Sequence, residues 1–266
     1  MNRVAVAGVL VLAVVAACTG PVADRSPFAA PADLVVFAAA SLTVPLEGVK
    51  MTYESGHASQ RLTFAFDSSA ALRTQIEQGA PADLFLSADL ANPQRLVDAR
   101  WATGPVTPFA GNRLAIVIPG ANPGSIERPE DLGRPGMRIV AAGESVPVTV
   151  YATDLVTRLG ALPGYPAGWA AAYEANIVSR EDNVRAIVTK LELGEGDAGV
   201  VYATDALASD GLRVIEIPPE AVVTATYGAV VLAASPNVDA AAAFLGWLSG
   251  PDGQAALARF GFVALS

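Results

Sequence analysis

The clearest chemistry in this chain sits on two serine-bearing turns. The run Val35-Val36-Phe37-Ala38-Ala39-Ala40-Ser41-Leu42 is a short apolar stretch that stops at small residues and a serine, and Phe64-Ala65-Phe66-Asp67-Ser68-Ser69 repeats the layout. The first reads as a buried parallel strand that delivers Ser41 to the N-cap of a helix, where a hydroxyl and unpaired amides can meet an anion. After Ser69, Leu72 and Ile76 continue with helical spacing to a terminal Gly79. Taken singly, each serine reads first as a helix cap. Their joint occurrence behind apolar strands favours one shared anion.

Other chemistries find little support. His57 is the only histidine and no Gly-x-Ser-x-Gly elbow is present, so a Ser-His-Asp triad has no natural home. His57 is expected to be a solvated residue near a helix end. With one His and one Cys, a metal site would need carboxylates, and none has the spacing of an EF-hand or a zincin. Gly194-Glu195-Gly196 lacks the Lys-Ser/Thr pair of a phosphate loop and reads as a helix-end turn.

The elements that must hold the serines come from a chain of 266 residues, 52% hydrophobic, long enough for one large domain or two lobes. The formal charge is −9, and Lys and Arg never cluster, which argues against nucleic acid or an anionic membrane surface as a partner. An acidic protein still binds an anion where local amides provide the donors, because the field of distant charges is screened over about 10 Å. At the N-terminus, Arg3 and the apolar run Val4 to Val15 form a signal peptide too short to span a bilayer comfortably. Val15-Ala16-Ala17-Cys18 resembles a bacterial lipobox, with residues 1–17 removed and Cys18 lipidated. An ordinary signal peptide with an incidental cysteine is the alternative. The lone cysteine excludes an intrachain disulfide, and residues 18–31 read as a lipidated end and flexible tether.

Beyond the tether β and α patterns alternate, which predicts an α/β fold with mostly parallel sheets. Strands are expected at Asp83 to Ser87, Arg113 to Ile118, Arg138 to Ala141, Ala198 to Tyr202, Leu212 to Ile217 and Tyr227 to Ala233. Helices are expected through Leu96-Val97, from Tyr151 to Leu159, from Ala240 to Leu248 and from Gln254 to Phe260. Val184, Ile187, Val188 and Leu191 mark another by their spacing, with Gly194 at its end. Two α/β runs, with chain left to return to the first, suggest two lobes, 32–112 with 229–266 and 113–228. A cleft between them is the natural ligand site.

These residues carry a family resemblance. The first serine run, then Gln75-Ile76-Glu77-Gln78-Gly79-Ala80-Pro81-Ala82-Asp83-Leu84-Phe85, Asp182-Asn183-Val184-Arg185 and Ala198-Gly199-Val200-Val201-Tyr202-Ala203-Thr204-Asp205-Ala206 resemble, in order, the molybdate-binding proteins of bacterial ABC importers. The resemblance implies a two-lobed periplasmic-binding-protein fold of type II, each lobe a mostly parallel sheet flanked by helices, that closes on molybdate or tungstate. It implies a transport role rather than an enzyme, no cofactor, and molybdenum held only as the oxyanion. The implied partners are a membrane permease and, through it, an ATPase. The implied state is a monomer on the extracytoplasmic, periplasmic face of the cell membrane, held there by the lipid anchor alone.

The resemblance places oxyanion contacts on Ser41 and Ser69, each through hydroxyl and backbone N–H, on the backbone N–H of Val148 and of Val184, and on the Tyr202 hydroxyl. Such donors would replace the hydration that a dianion loses on burial. Without the resemblance, Tyr202 reads as a core tyrosine and the two valines as packing residues. Asp67 fits least well, since a carboxylate beside the pocket repels a dianion unless it points away. A binding protein for another tetrahedral oxyanion, sulfate or phosphate, is the alternative. Phosphate retains a proton that needs an acceptor, while the expected site offers mainly donors.

Overall fold

The computed structural model describes residues 32–265. The expected signal peptide, Cys18 and the tether lie outside the described residues. The first apolar run forms β1 (Ala32–Ala39), which pairs in parallel with β2 (Gln60–Asp67) on one side and β3 (Leu84–Ser87) on the other. Both faces of β1 are covered. Leu34, Val36 and Ala38 enter the main core, while Phe37 joins Leu72, Ile76, Phe85 and Leu96 in a second cluster. A central parallel strand buried on both faces needs a continuous apolar run, which explains the sequence at Leu34 to Ala40. Helices α1 (Thr43–Gly56), α2 (Ser69–Glu77) and α3 (Ala91–Asp98) complete this unit.

Strand β4 (Thr107–Pro119) then divides its pairing. Thr107 to Arg113 pair with β9 (Thr224–Val231), whereas Leu114 to Val117 pair with β7 (Ala198–Tyr202) and Ile116 to Pro119 with β8 (Leu212–Ile215), all antiparallel. Beyond β4 come β5 (Ile139–Ala142), α4 (Pro147–Gly160), α5 (Trp169–Ala175), β6 (Ile177–Glu181), α6 (Val184–Glu192) and, after β7, α7 (Ala203–Leu207). Helices α8 (Val238–Ser249) and α9 (Pro251–Ala258) follow β9. The strand order is β2-β1-β3-β9-β4-β7-β5-β6, with β8 on β4. Parallel trios β2-β1-β3 and β6-β5-β7 therefore flank an antiparallel centre, so the fold is α/β with more antiparallel pairing than the alternation suggests.

Among the departures from expectation, three have identifiable reasons. β4 begins at Thr107 rather than Arg113, hidden by Pro108, Gly111 and Asn112 and by an irregular register between Pro108 and Ala110. β6 was not anticipated because it is the sheet edge, where Arg180 and Glu181 interrupt the apolar pattern. α5 follows the Gly/Pro-rich turn and is only seven residues long, held by the buried Trp169 and Tyr173. α6, by contrast, buries Val184, Ile187, Val188 and Leu191 as their spacing predicts, and Gly194 follows at φ 75°. His57 lies exposed at the end of α1, its ring stacked 4.1 Å from that of Tyr53.

Candidate oxyanion site

The ends of the two parallel trios meet. β1 and β2 finish in register at Ala39 and Asp67, so the serine turns emerge side by side. Across from them, β5 and β6 finish at Ala142 and Glu181, and β7 at Tyr202. Crevices at the carboxyl ends of parallel strands are where α/β sheets hold ligands. One small cavity, about 210 Å³ including its open mouth, is lined there by Ser41, Ser68, Ser69, Val148, Val184 and Tyr202 together with Ala39, Ala40, Ala88, Val146, Pro147 and Asn183. All five expected contact residues line it. Only about 10 Å³ of that space admits the centre of a water-sized sphere, so the site is far tighter than the roughly 300–1,000 Å³ pockets of drug-sized ligands.

Ser41 differs from the expected N-cap. It lies inside a 3₁₀ turn, Ala40–Leu42, entered from Ala39, and α1 starts only at Thr43. Its hydroxyl oxygen sits 2.7 Å from the Tyr227 hydroxyl instead of capping an amide. In the second turn, Ser68 is the N-cap and accepts the Ala71 amide at 3.3 Å, leaving Ser69 as the first helical residue. The Ser69 Oγ accepts the Ala88 amide at 3.0 Å, so its own proton remains to donate.

The remaining expected donors lie at helix starts. α4 opens with Pro147 after Val146, without a side-chain cap, and the Thr149 amide turns back to the Val146 carbonyl at 3.0 Å. α6 is capped by Asn183, which accepts the Ala186 amide at 3.1 Å. The first-turn amides of Val148 and Val184 have no intrahelical acceptor, and the helix dipoles add partial positive charge at the same ends. The Tyr202 hydroxyl is fully buried with no hydrogen-bond partner among the described residues. Burial pushes it well above the ordinary phenol range, so it is a neutral donor.

No charged side chain is among the residues lining the cavity. Asp67 lines a neighbouring cleft with Arg73 and Asp182, and its carboxylate accepts the Ser68 amide at 2.7 Å. Ser68 and Val146 line both spaces, so Asp67 stays beside the cavity without entering its lining. Among the described residues no group of three or more His, Cys, Asp or Glu is placed to hold a metal ion. Sequence reasoning missed Tyr227, Asn112 and Asp205, the buried polar groups near the serine turn and Tyr202. Asn112 sits between Gly111 and Arg113 in a stretch without periodicity. Asp205 lies inside a motif that could have drawn attention to it.

Comparison with known proteins gives the family and the fold. The profile of bacterial extracellular solute-binding proteins matches residues 34–263. The chain belongs to that family. It is 32% identical over 247 residues to the molybdate-binding protein ModA of Mycobacterium tuberculosis, covering 90% of each chain. Among solved structures it resembles the periplasmic molybdate-binding protein of Azotobacter vinelandii, with a TM-score of 0.73 and 23% identity over 88% of this chain and 100% of that one. It also resembles the sulfate-binding protein SubI of Mycobacterium tuberculosis, with a TM-score of 0.76 and 19% identity over 88% and 87% of the two chains. The two structural likenesses establish the periplasmic-binding-protein fold. They do not by themselves choose between oxyanions. As a family member the chain is a solute-binding protein, not an enzyme, and its solute is a ligand rather than a cofactor.

Proposed function

We propose that this protein captures molybdate, and tungstate with it, and delivers it to the permease of an ABC importer, which an ATPase drives. The observation that carries the reading is the Tyr202 hydroxyl, buried without a partner in a cavity that also collects Ser41, Ser69 and the helix starts at Val148 and Val184. A buried, unsatisfied donor costs about 1–3 kcal/mol, and a bound anion would recover that loss. The lining offers donors without a carboxylate, which suits an oxyanion that carries no proton. The names of relatives such as ModA support molybdate over sulfate.

Within this proposal, residues 32–112 and 229–266 form one lobe and 113–228 the other. The change of partner along β4 between Arg113 and Leu114 supports the first boundary, whereas β9 already pairs with the first-lobe part of β4 from Thr224, so the chain returns earlier than residue 229. Ser41 and Ser69 then act from the first lobe, and Val148, Val184 and Tyr202 from the second. Such a ligand binds the closed arrangement more strongly and shifts the population toward it. The protein works as a monomer, held at the outer face of the membrane by lipid on Cys18. Among the described residues no helix is long and apolar enough to cross a membrane.

Calorimetric titration of the mature protein with molybdate, tungstate, sulfate and hydrogen phosphate tests the reading. Tight binding of the first two and weak binding of the others is expected. Equal binding of sulfate would make the chain a general or sulfate-directed oxyanion carrier.

A further inference from the structure

Behind Ser41 runs a chain of buried polar groups that the cavity itself does not require. The Asn112 side-chain amide nitrogen lies 3.2 Å from the Tyr227 hydroxyl and 2.9 Å from the Thr204 hydroxyl, and the Tyr227 hydroxyl lies 2.7 Å from Ser41 Oγ. Asn112 and Tyr227 are wholly buried, so water offers no alternative partner. The orientation of the amide fixes the direction of every bond. With its nitrogen toward the two hydroxyls, both N–H groups are satisfied and only the carbonyl oxygen is left without a partner. Reversed, the amide would turn its two N–H groups to the side where the carbonyl oxygen now has no partner, and the Tyr227 and Thr204 hydroxyls would have to donate to the oxygen. With the nitrogen toward it, the Tyr227 oxygen accepts from Asn112, and its single proton is left for Ser41 Oγ. Burial keeps that proton on the phenol, pushing Tyr227 well above its ordinary range.

We infer that Asn112 and Tyr227 are positioning residues that fix the hydrogen-bond polarity of Ser41, so that it presents its proton and not a lone pair to the bound anion. This rests on the oxyanion reading above and extends it to selectivity. A fully deprotonated tetrahedral dianion gains from a fixed donor. Hydrogen phosphate, a dianion of similar shape with one proton to place, gains from an acceptor.

The test is a ratio. Wild type, Tyr227→Phe and Asn112→Asp are titrated with molybdate and with hydrogen phosphate at mildly alkaline pH. In Tyr227→Phe the Ser41 hydroxyl is free to donate or accept. In Asn112→Asp the carboxylate would accept a hydrogen bond from the Tyr227 hydroxyl, reversing the relay so that Ser41 donates to Tyr227 and turns its lone pairs to the cavity. The preference for molybdate over hydrogen phosphate should narrow about tenfold in the first variant, the scale of one hydrogen bond, and further in the second. Loss of packing, or an added charge, weakens two dianions alike, so equal weakening of both ligands, or no change, overturns the inference. Neutron diffraction from the deuterated wild type decides it even if the variants fold poorly. Deuterium on the Tyr227 oxygen pointing at Ser41 is expected, and deuterium on Ser41 pointing at Tyr227 overturns it. Failure of the wild type to bind molybdate would instead sink the functional reading, and the neutron map would still report the bond direction.

Discussion

Ser69 Oγ accepts the amide hydrogen of Ala88 at 3.0 Å, tying the first residue of α2 to the residue after β3. Both groups are buried, and the bond orients the hydroxyl so that its proton faces away from Ala88. Ser69→Ala should therefore have two separable effects. It leaves the Ala88 amide unpaired, costing about 1–3 kcal/mol of stability in the ligand-free protein, and it removes one donor from the cavity. Chemical denaturation without ligand measures the first and molybdate titration the second. If stability is unchanged, the Ala88 bond does not hold the turn.

Asp205 makes stability depend on pH. It is fully buried, and desolvation pushes its carboxyl up to about 7, with Arg185 and the Tyr202 backbone pulling it back only in part. The folded state thus keeps a proton that the unfolded chain releases near the ordinary carboxylate value of 3.8. Its contribution is fully present below about pH 4 and is lost as pH rises through about 7, by an amount on the order of 4 kcal/mol at most. Asp205→Asn keeps the shape without the charge, so it should flatten the fall in stability between those limits. Denaturation midpoints of both proteins across that range check this. Parallel pH profiles would show that Asp205 is ionised throughout.

Gly199 is required by close packing rather than by backbone freedom. A Cβ there would stand 2.8 Å from Ile187 and 2.9 Å from the Val140 carbonyl oxygen, so β5 and α6 could not both keep their places against β7. Gly199→Ala should cost about 1–3 kcal/mol by overpacking, read as a lower thermal midpoint. Because β7 ends at Tyr202, molybdate affinity should fall as well.

How far the sequence revealed this site depended on whether local pattern or long-range pairing placed each residue. α6 and β7 were legible because burial enforces their spacing, and Ser69 because its strand and helix are adjacent in the chain. Ser41 was located but given the wrong local role. Its true partner, Tyr227, lies 186 residues away and leaves no trace in the local pattern. Asn112 was hidden for the same reason, since its strand mixes Pro and Gly with apolar residues and its bonds reach β9 and α7. The contacts proposed at Val148 and Val184 are backbone amides, which no side-chain pattern marks. They came from the resemblance, and the structure brings both residues to the cavity wall.

Tyr202 offers a test in which stability and binding should move in opposite directions. Its hydroxyl is buried without a partner among the described residues, so removing it forfeits no hydrogen bond within the protein. Tyr202→Phe removes the oxygen and keeps the ring, including its edge contact with Tyr227 at 5.5 Å. The ligand-free variant should be as stable as wild type or more so, by up to about 1–2 kcal/mol. Under the proposed function the same change deletes a donor to a buried dianion, which is worth about 1.5–3 kcal/mol because the acceptor is charged. Molybdate affinity should therefore fall roughly tenfold to a hundredfold while the thermal midpoint without ligand holds or rises. A variant that loses stability and keeps its affinity would show that the hydroxyl serves the core and not the anion. The pairing of the two measurements matters, since a site residue that strains the empty protein is expected to trade stability for function.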